Sequence, residues 1–464
     1  MLDRVEAEEV LGRALAASEA DAAEALLSGG ALALTRFAEN AIHQNVAERN
    51  VVLSIRSVIG RRSGSATTNR LDPEGIRAAA RRSESAARAT RDEDPPPDVA
   101  APAARSEEGA ARLATAGGVG AGSDGASWGP RERQEAVASV VSCCRRAGLT
   151  AAGFALSAEG ELSDYGEHAA FAVANSRGLS AYHRRGRVML SATAMDATSS
   201  GWVLGIARGP VGLAVDRLAE TAVEKAVASR DPKPLPPGRY TVVLEPAPVA
   251  SLVEFLLPGF NARAFHEGRS FLAGQLPRTI GNDAFTLLDD HAHPLHAGKP
   301  FDEEGVPRKR VVLVDRGVAR ALVWDRRTAA ERGAEPTGHG LRLPNAEGAA
   351  PAYPVVPGGV ESVEDLVRST RRGILVTRLW YVRVVDPMRV IVTAMTRDGT
   401  FWIENGRIAH GVRNLRVNES VVEAFGRISG VGREALSASS ERAVAMVVPA
   451  LRIEDFQFTS EASF

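Results

Sequence analysis

Two stretches that cannot pack as core divide this chain before any motif is read. Residues 92–130 are rich in Pro, Ala, Gly and Ser, with Pro95-Pro96-Pro97 and Gly117-Gly118-Val119-Gly120 among them. Such a composition buries little and reads as a linker. The second stretch, Pro232-Lys233-Pro234-Leu235-Pro236-Pro237, is a stiff, extended boundary because each proline fixes its own φ. A chain of 464 residues also exceeds what one core serves. The expected organisation is an N-terminal unit over 1–91, a linker over 92–130, a middle unit over 131–231 and a C-terminal unit over 232–464.

Periodicity fills in these units. Apolar positions at Leu2, Val5, Leu11, Leu15, Ala22 and Leu26, closed by Gly29-Gly30, predict a helix over 2–28. Strand-like runs over 31–37, 41–47, 51–59 and 63–68 follow, with turn residues Glu39-Asn40 and Gly60, an antiparallel meander. Asp72-Pro73, an N-cap before a proline at the first helical position, starts a helix running to about Thr90. The middle unit repeats the theme: helices over 131–147 and 211–229, strands over 151–157, 169–175 and 188–194.

Beyond residue 237 strands and tight turns take over, at 240–244, 311–314, 318–324, 400–404 and 407–410. Asn405-Gly406 supplies the positive φ angles that a two-residue hairpin needs. Helices are expected over 248–257 and 362–372. The fold class is α+β: an N-terminal α/β region in two parts, antiparallel sheets packed by helices, then a mainly antiparallel β domain.

Charge is balanced, 56 Lys and Arg against 57 Asp and Glu, so nothing favours a nucleic-acid partner. No run approaches the roughly 20 apolar residues of a membrane span. The start, Met1-Leu2-Asp3-Arg4-Val5-Glu6, does not read as a signal peptide, and the only cysteines, Cys143 and Cys144, are adjacent and poorly placed for a disulfide. The expected compartment is the reducing cytoplasm. Gly-x-Ser-x-Gly, Walker and Cys-x-x-Cys motifs are absent, and Gly117–Gly120 follows no strand, so it is not taken as a phosphate loop.

A set of segments in order carries a resemblance. The first half contains Thr35-Arg36-Phe37-Ala38-Glu39-Asn40, Ile42-His43-Gln44-Asn45, Gly60-Arg61-Arg62 and Thr68-Asn69-Arg70-Leu71-Asp72. The second contains Asp289-Asp290, Pro300-Phe301-Asp302-Glu303-Glu304-Gly305-Val306-Pro307, Pro336-Thr337-Gly338, Thr396-Arg397-Asp398-Gly399 and Ile403-Glu404-Asn405-Gly406. Together they resemble the TldD/PmbA family, proteins associated with metallopeptidase activity. The resemblance implies a heterodimer in which a zinc-bearing TldD-type paralogue pairs with a related subunit lacking the metal, the two degrading or trimming unfolded peptides.

The metal-bearing branch carries His-Glu-x-x-x-His on a helix. Here Val253 and Pro258 stand in the histidine positions and only Glu254 remains, so no cofactor is expected in this chain and zinc is expected in the partner. Residues five apart lie about 140° apart on a regular helix, so a shared ion would need a distorted turn or a helix end. Glu254 is then a remnant base or, more simply, a solvated or capping helix carboxylate.

Other residue types offer competing chemistry. His291, His293 and His296, directly after Asp289-Asp290, are suitable metal ligands and support an alternative reading as an autonomous metallohydrolase; the simpler reading is an exposed loop. Asp289-Asp290 and Asp302-Glu303-Glu304, beside glycine and proline, are expected as exposed turns. Thr337, Gly338, Thr396, Arg397, Asp398 and Gly399 are candidate peptide contacts where a second backbone could approach, or plain β-turns. A non-enzymatic peptide-binding homodimer is the third reading.

Overall fold

The structure is a computed structural model and describes residues 2–102, 127–159, 170–209, 212–296, 298–438 and 445–462. It holds two sheets with helices packed on them. The first contains eight strands: β1 (Ala22–Ala38), β2 (Ala41–Ile59), β3 (Arg62–Thr68), β4 (Thr150–Glu159), β5 (Ala170–Asn175), β6 (Ser180–Tyr182), β7 (Gly186–Met195) and β8 (Ser200–Ala207), in the order β3-β2-β1-β4-β7-β8 with β5 and β6 branching from β1. Among the described residues four helices accompany them: α1 (Arg4–Ala16), α2 (Pro73–Ala89), α3 (Pro130–Arg146) and α4 (Val215–Ala228).

Residues 22–28, expected as the end of a helix, are strand instead. The reason lies in burial: 23–30 are buried without a break, so no alternation of apolar and polar residues marks the strand. One face of β1 presents Ala25 and Leu27 to α1 and α2, while Leu26 on the other joins Val173, Leu179, Ala100 and Phe301. α1 is capped by Asp3, whose carboxylate accepts from the Glu6 N–H in a capping box. β1 also pairs β2 from Ala22 to Ala38 and β4 from Ala31 to Phe37, so the first and middle units share one sheet.

The Pro- and Ala-rich stretch buries more than its composition implies. Val99 and Ala100 are buried, held by hydrogen bonds from Arg56 Nη2 to the Asp98 carbonyl (2.7 Å), from Arg177 Nη1 to the Val99 carbonyl (3.1 Å) and from Asn175 Nδ2 to the Ala100 carbonyl (2.7 Å). Trp128, near its other end, is buried against Val137, Val140 and Leu149. The Gly117–Gly120 run lies outside the described residues.

The second sheet has fourteen strands: β9 (Gly238–Leu244), β10 (Arg278–Thr279), β11 (Leu287–Asp289), β12 (Val311–Asp315), β13 (Val318–Ala319), β14 (Pro354–Val355), β15 (Arg372–Val376), β16 (Leu379–Asp386), β17 (Ile391–Thr396), β18 (Thr400–Glu404), β19 (Arg407–Gly411), β20 (Leu415–Ser420), β21 (Ile428–Ala438) and β22 (Ala445–Glu461). Its spine runs β10-β13-β12-β11-β14-β22-β9-β15-β18-β19. The run expected as a strand over 318–324 contracts to Val318–Ala319. The β18–β19 hairpin turns at Asn405 (φ 50°) and Gly406 (φ 75°), the left-handed pair that Asn-Gly favours.

α5 (Pro246–Val253) follows β9 directly, with Glu245 at its N-cap and Pro246 at its first position. Residues 247–253 are all buried, and Val249, Leu252 and Val253 belong to the main core of the C-terminal domain. Shorter helices follow at α6 (Ala262–His266) and α7 (Arg326–Arg332). Among the described residues no helix is long and apolar enough to cross a membrane.

Candidate functional site

The α5 corner holds the residues that the sequence reading set against the metal motif. α5 ends at Val253, Glu254 is its C-cap, and a 3₁₀ turn runs over Leu257–Phe260. The helix end that two ligands five residues apart would require is therefore present. Its donors are not: Val253 is fully buried among apolar side chains, and Pro258 is exposed. Neither can ligate a cation, so the residues at this corner do not fit a zinc ion. Glu254, expected as a solvated or capping carboxylate, is at the cap position but only 8% exposed.

The histidine loop folds differently from the expectation. His296 is fully buried and its Nε2 lies 2.9 Å from the Pro354 carbonyl oxygen, while half-buried His293 puts Nε2 3.6 Å from Glu434 Oε2. Burial, with the positive charge of Arg308 next, pushes His291 down to about 4, and burial likewise pushes His296 down to about 4. The rings of His293 and His296 lie edge to face with centroids 6.3 Å apart, yet among the described residues no three His, Cys, Asp or Glu side chains gather to hold a metal.

The acidic pairs are also not the solvated turns they were expected to be. Asp289 ends β11 at 1% exposure: its Oδ1 lies 2.9 Å from His339 Nε2, and its Oδ2 accepts from the N–H groups of Ala352 (2.6 Å) and Tyr353 (2.9 Å). Burial works against its charge, yet His339, Arg308 and the backbone donors win and hold the carboxyl below the usual carboxylate range. Thr337 is on the far side of the same ring, its carbonyl oxygen 2.9 Å and its Oγ1 3.0 Å from His339 Nδ1.

Gly338, between them, has φ 74°, and a Cβ there would meet the Pro307 carbonyl oxygen at 2.3 Å; its own carbonyl accepts from Arg308 Nη1 at 2.9 Å. Only glycine fits so close a backbone approach.

Asp302 and Glu304 are buried next to this group. Asp302 accepts from the N–H groups of Glu304 and Val306 (2.9 Å each) and Gly340 (2.7 Å), and Glu304 accepts from the Arg326 N–H at the start of α7 (3.1 Å). Burial raises both; with Asp302 as a like-charged neighbour, Glu304 is pushed up to about 8. The sequence signs Gly and Pro mark a real turn here, but the turn is folded inward beneath Gly340.

Thr396–Gly399 lies elsewhere, against the middle unit. Asp398 (φ 54°) accepts from Ser200 Oγ (2.8 Å) and Arg378 Nη1 (2.5 Å), and its carbonyl accepts from the Trp202 N–H (3.2 Å). Arg378 is stacked between Trp202 and Trp380, at 4.6 and 4.8 Å from their ring centres. Thr396 Oγ1 accepts from the Leu415 N–H (2.9 Å), Thr377 Oγ1 donates to the Gly399 carbonyl (3.0 Å), and Arg397 is exposed. Thr337–Gly338 and Thr396–Gly399 are thus anchored to different partners. His339, Arg308, Ser200 and Arg378 were not singled out beforehand; only Gly338 and Gly340 beside His339 hint at the crowding.

Three family models match the chain: PmbA/TldA metallopeptidase domain 1 over residues 23–87, the central domain over 132–230 and the C-terminal domain over 237–460. A metalloprotease of Methanothermobacter thermautotrophicus is 29% identical over 234 residues, 47% of this chain and 48% of that protein. A TldD homologue of Buchnera aphidicola is 23% identical over 234 residues, 47% and 46%. The chain spans about half the length of these curated relatives. TldE of Thermococcus kodakarensis superposes with a TM-score of 0.80 at 20% identity, covering 97% of this chain and 99% of that one, a likeness of fold.

Proposed function

The chain belongs to the TldD/PmbA family, and on that premise we propose that it is a non-metallated subunit pairing with a zinc-bearing TldD-type paralogue, in the cytoplasm, to trim unfolded peptides or peptide precursors. The α5 corner carries this reading: the helix break is kept, while hydrocarbon and an imino ring occupy both ligand positions. The likeness to a protein called TldE supports it. Glu254 alone, with no ion beside it to acidify water, has little power against an amide bond. The chain's part is then to shape the substrate path, and the partner supplies the ion and the base.

The test is metal analysis of the chain alone and with a paralogue carrying His-Glu-x-x-x-His. A stable complex is expected, with one zinc per pair and peptidase activity only in the pair. Stoichiometric zinc with activity in the isolated chain refutes the reading. The His291, His293 and His296 alternative has no support in the geometry of the three rings.

A further inference from the structure

The hairpin of β16 and β17 gathers exposed apolar side chains within a short stretch. Tyr381, Val384, Val385 and Met388 are each about half exposed and fall within eight residues, while the other exposed large apolar residues among those described are scattered along the sequence. A single exposed valine is ordinary; a cluster marks a contact surface. From Arg378 to Arg397 the chain holds four arginines, two methionines, a tryptophan and a tyrosine, with one aspartate and no lysine or glutamate. Protein interfaces are enriched in Arg, Met and aromatic residues and depleted in Lys and Glu.

The backbone presents these side chains in fixed positions. Among the described residues β16 pairs only with β17, and its register shifts twice, between Trp380 and Arg383 and between Val384 and Asp386. Such bulges spoil an edge as a template for another strand and re-aim side chains, so this edge is read through its side chains. Tyr381, with φ 54°, lies in the first irregularity and Val385 in the second. At the tip, Asp386 Oδ1 accepts from the N–H groups of Met388 (2.9 Å) and Arg389 (3.1 Å). Buried Val390 holds φ 49°, a left-handed conformation that a β-branched residue seldom adopts. The Arg389 carbonyl accepts from Ser420 Oγ (2.9 Å) and the Val390 carbonyl from the Val421 N–H (3.0 Å). A turn tied down in this way loses little entropy on binding.

Charge and area narrow the choice of partner. Arg378 is engaged by Asp398, and Asp386 by the turn, so the exposed charges beside the apolar group are the guanidinium groups of Arg383, which lies over the Tyr381 ring at 4.4 Å, and Arg389. The complementary surface is an apolar groove edged with carboxylates. Four half-exposed side chains cover a few hundred Å², less than the roughly 800 Å² per partner of a stable complex. A partner of the same fold brings an equivalent hairpin, and two such contacts about an approximate twofold axis supply the difference. A second copy of this chain would bring the arginines of both hairpins together; a related chain is free to carry carboxylates there instead.

We propose that the β16–β17 hairpin is the surface through which this chain grips its metal-bearing paralogue, with Tyr381, Val384, Val385 and Met388 in an apolar groove and Arg383 and Arg389 on carboxylates at its rim. The proposal rests on the subunit reading above and adds where the pair is held.

The two proteins are purified separately and their affinity is measured by titration calorimetry at low and high salt. Val384→Asp combined with Val385→Asp in this chain is expected to weaken the pair at least tenfold, and Arg383→Gln combined with Arg389→Gln to flatten its salt dependence. All four positions are exposed, so the melting curves are expected to match the wild type. Met388→Lys at the turn is the second apolar variant, should the aspartate pair fail to fold. Val360→Asp, exposed outside the hairpin, is expected to bind as the wild type does; an equal loss there assigns the effect to added charge alone and overturns the proposal. Unchanged affinity in the folded hairpin variants overturns it too and leaves the subunit reading intact. Absence of any pair with the wild-type chain fails that reading and the proposal with it. A wild-type chain that dimerises alone and turns monomeric in the aspartate variant assigns the hairpin to a second copy, and co-sedimentation with phosphatidylglycerol vesicles that the same variant abolishes assigns it to an anionic membrane. Either result overturns the proposal.

Discussion

At the residue scale the most consequential groups are buried acids and imidazoles whose protonation differs between folded and unfolded chains. Glu304 is pushed up to about 8 by burial and by Asp302, so between its ordinary 4.5 and 8 the folded chain holds a proton that the unfolded chain has lost. Its contribution to stability is therefore complete below 4.5 and is lost as pH rises through 8. Glu304→Gln keeps an acceptor for the Arg326 N–H and cannot ionise; its melting temperature should fall less than the wild type's between pH 6 and 9, as read by calorimetry. A parallel fall in both proteins would show that the carboxyl is ionised throughout.

His296 has the opposite sign. Held at about 4 by burial, it stays neutral while the unfolded chain takes a proton below 6.5, so stability drops as pH falls from 6.5 toward 4. His296→Gln retains a donor for the Pro354 carbonyl and should flatten that acid limb; an unchanged limb assigns it to other groups. None of this inward folding was legible locally. Asp302, Glu304 and Asp289 stand beside the glycines and prolines that usually mark exposed turns, and their partners Arg326, Gly340, His339 and Tyr353 come from 22 to 64 positions further along the chain.

At the scale of elements, what could be read from the sequence was what local chemistry dictates. Asp72-Pro73 caps α2, whose Asp72 carboxylate accepts from the Gly75 N–H, and Asn405-Gly406 makes the β18–β19 turn. Gly406→Ala should destabilise by about 1–2 kcal/mol in urea titration, since φ is 75° and the new Cβ would meet the Arg368 carbonyl oxygen at 2.4 Å. A neutral result would mean that the turn relaxes freely. What failed was period: β1 is covered on both faces, and β8, opening with Ser200-Gly201, has neither alternation nor strong strand formers at its start. The break after Val253 was anticipated only as a requirement for shared ligands; the structure supplies the break without them.

For the whole molecule the decisive fact is that the two sheets are joined through specific polar contacts as well as apolar ones. The middle unit meets the C-terminal domain at Asp398, which binds Ser200 and Arg378 while 6% exposed, and at Lys225 with Glu245. Thr396–Gly399 was read from the sequence as a possible peptide contact, and Gly399 was the visible sign; its use as a joint depends on Ser200 and Trp202, some 200 positions earlier, which no local pattern announces.

Removing one partner from such a buried pair leaves Arg378 facing Trp202 and Trp380 without its carboxylate. Asp398→Ala should therefore cost about 3–5 kcal/mol. Ser200→Ala should cost about 1 kcal/mol, and the double variant less than the sum, because the serine hydroxyl has no carboxylate left to bond. If the joint also sets the spacing of β8 and β21, Asp398→Ala should speed proteolytic cleavage between the middle and C-terminal units well before global unfolding. Additive energies together with unchanged cleavage would assign Asp398 to its own turn and leave the two sheets held together by their apolar contacts.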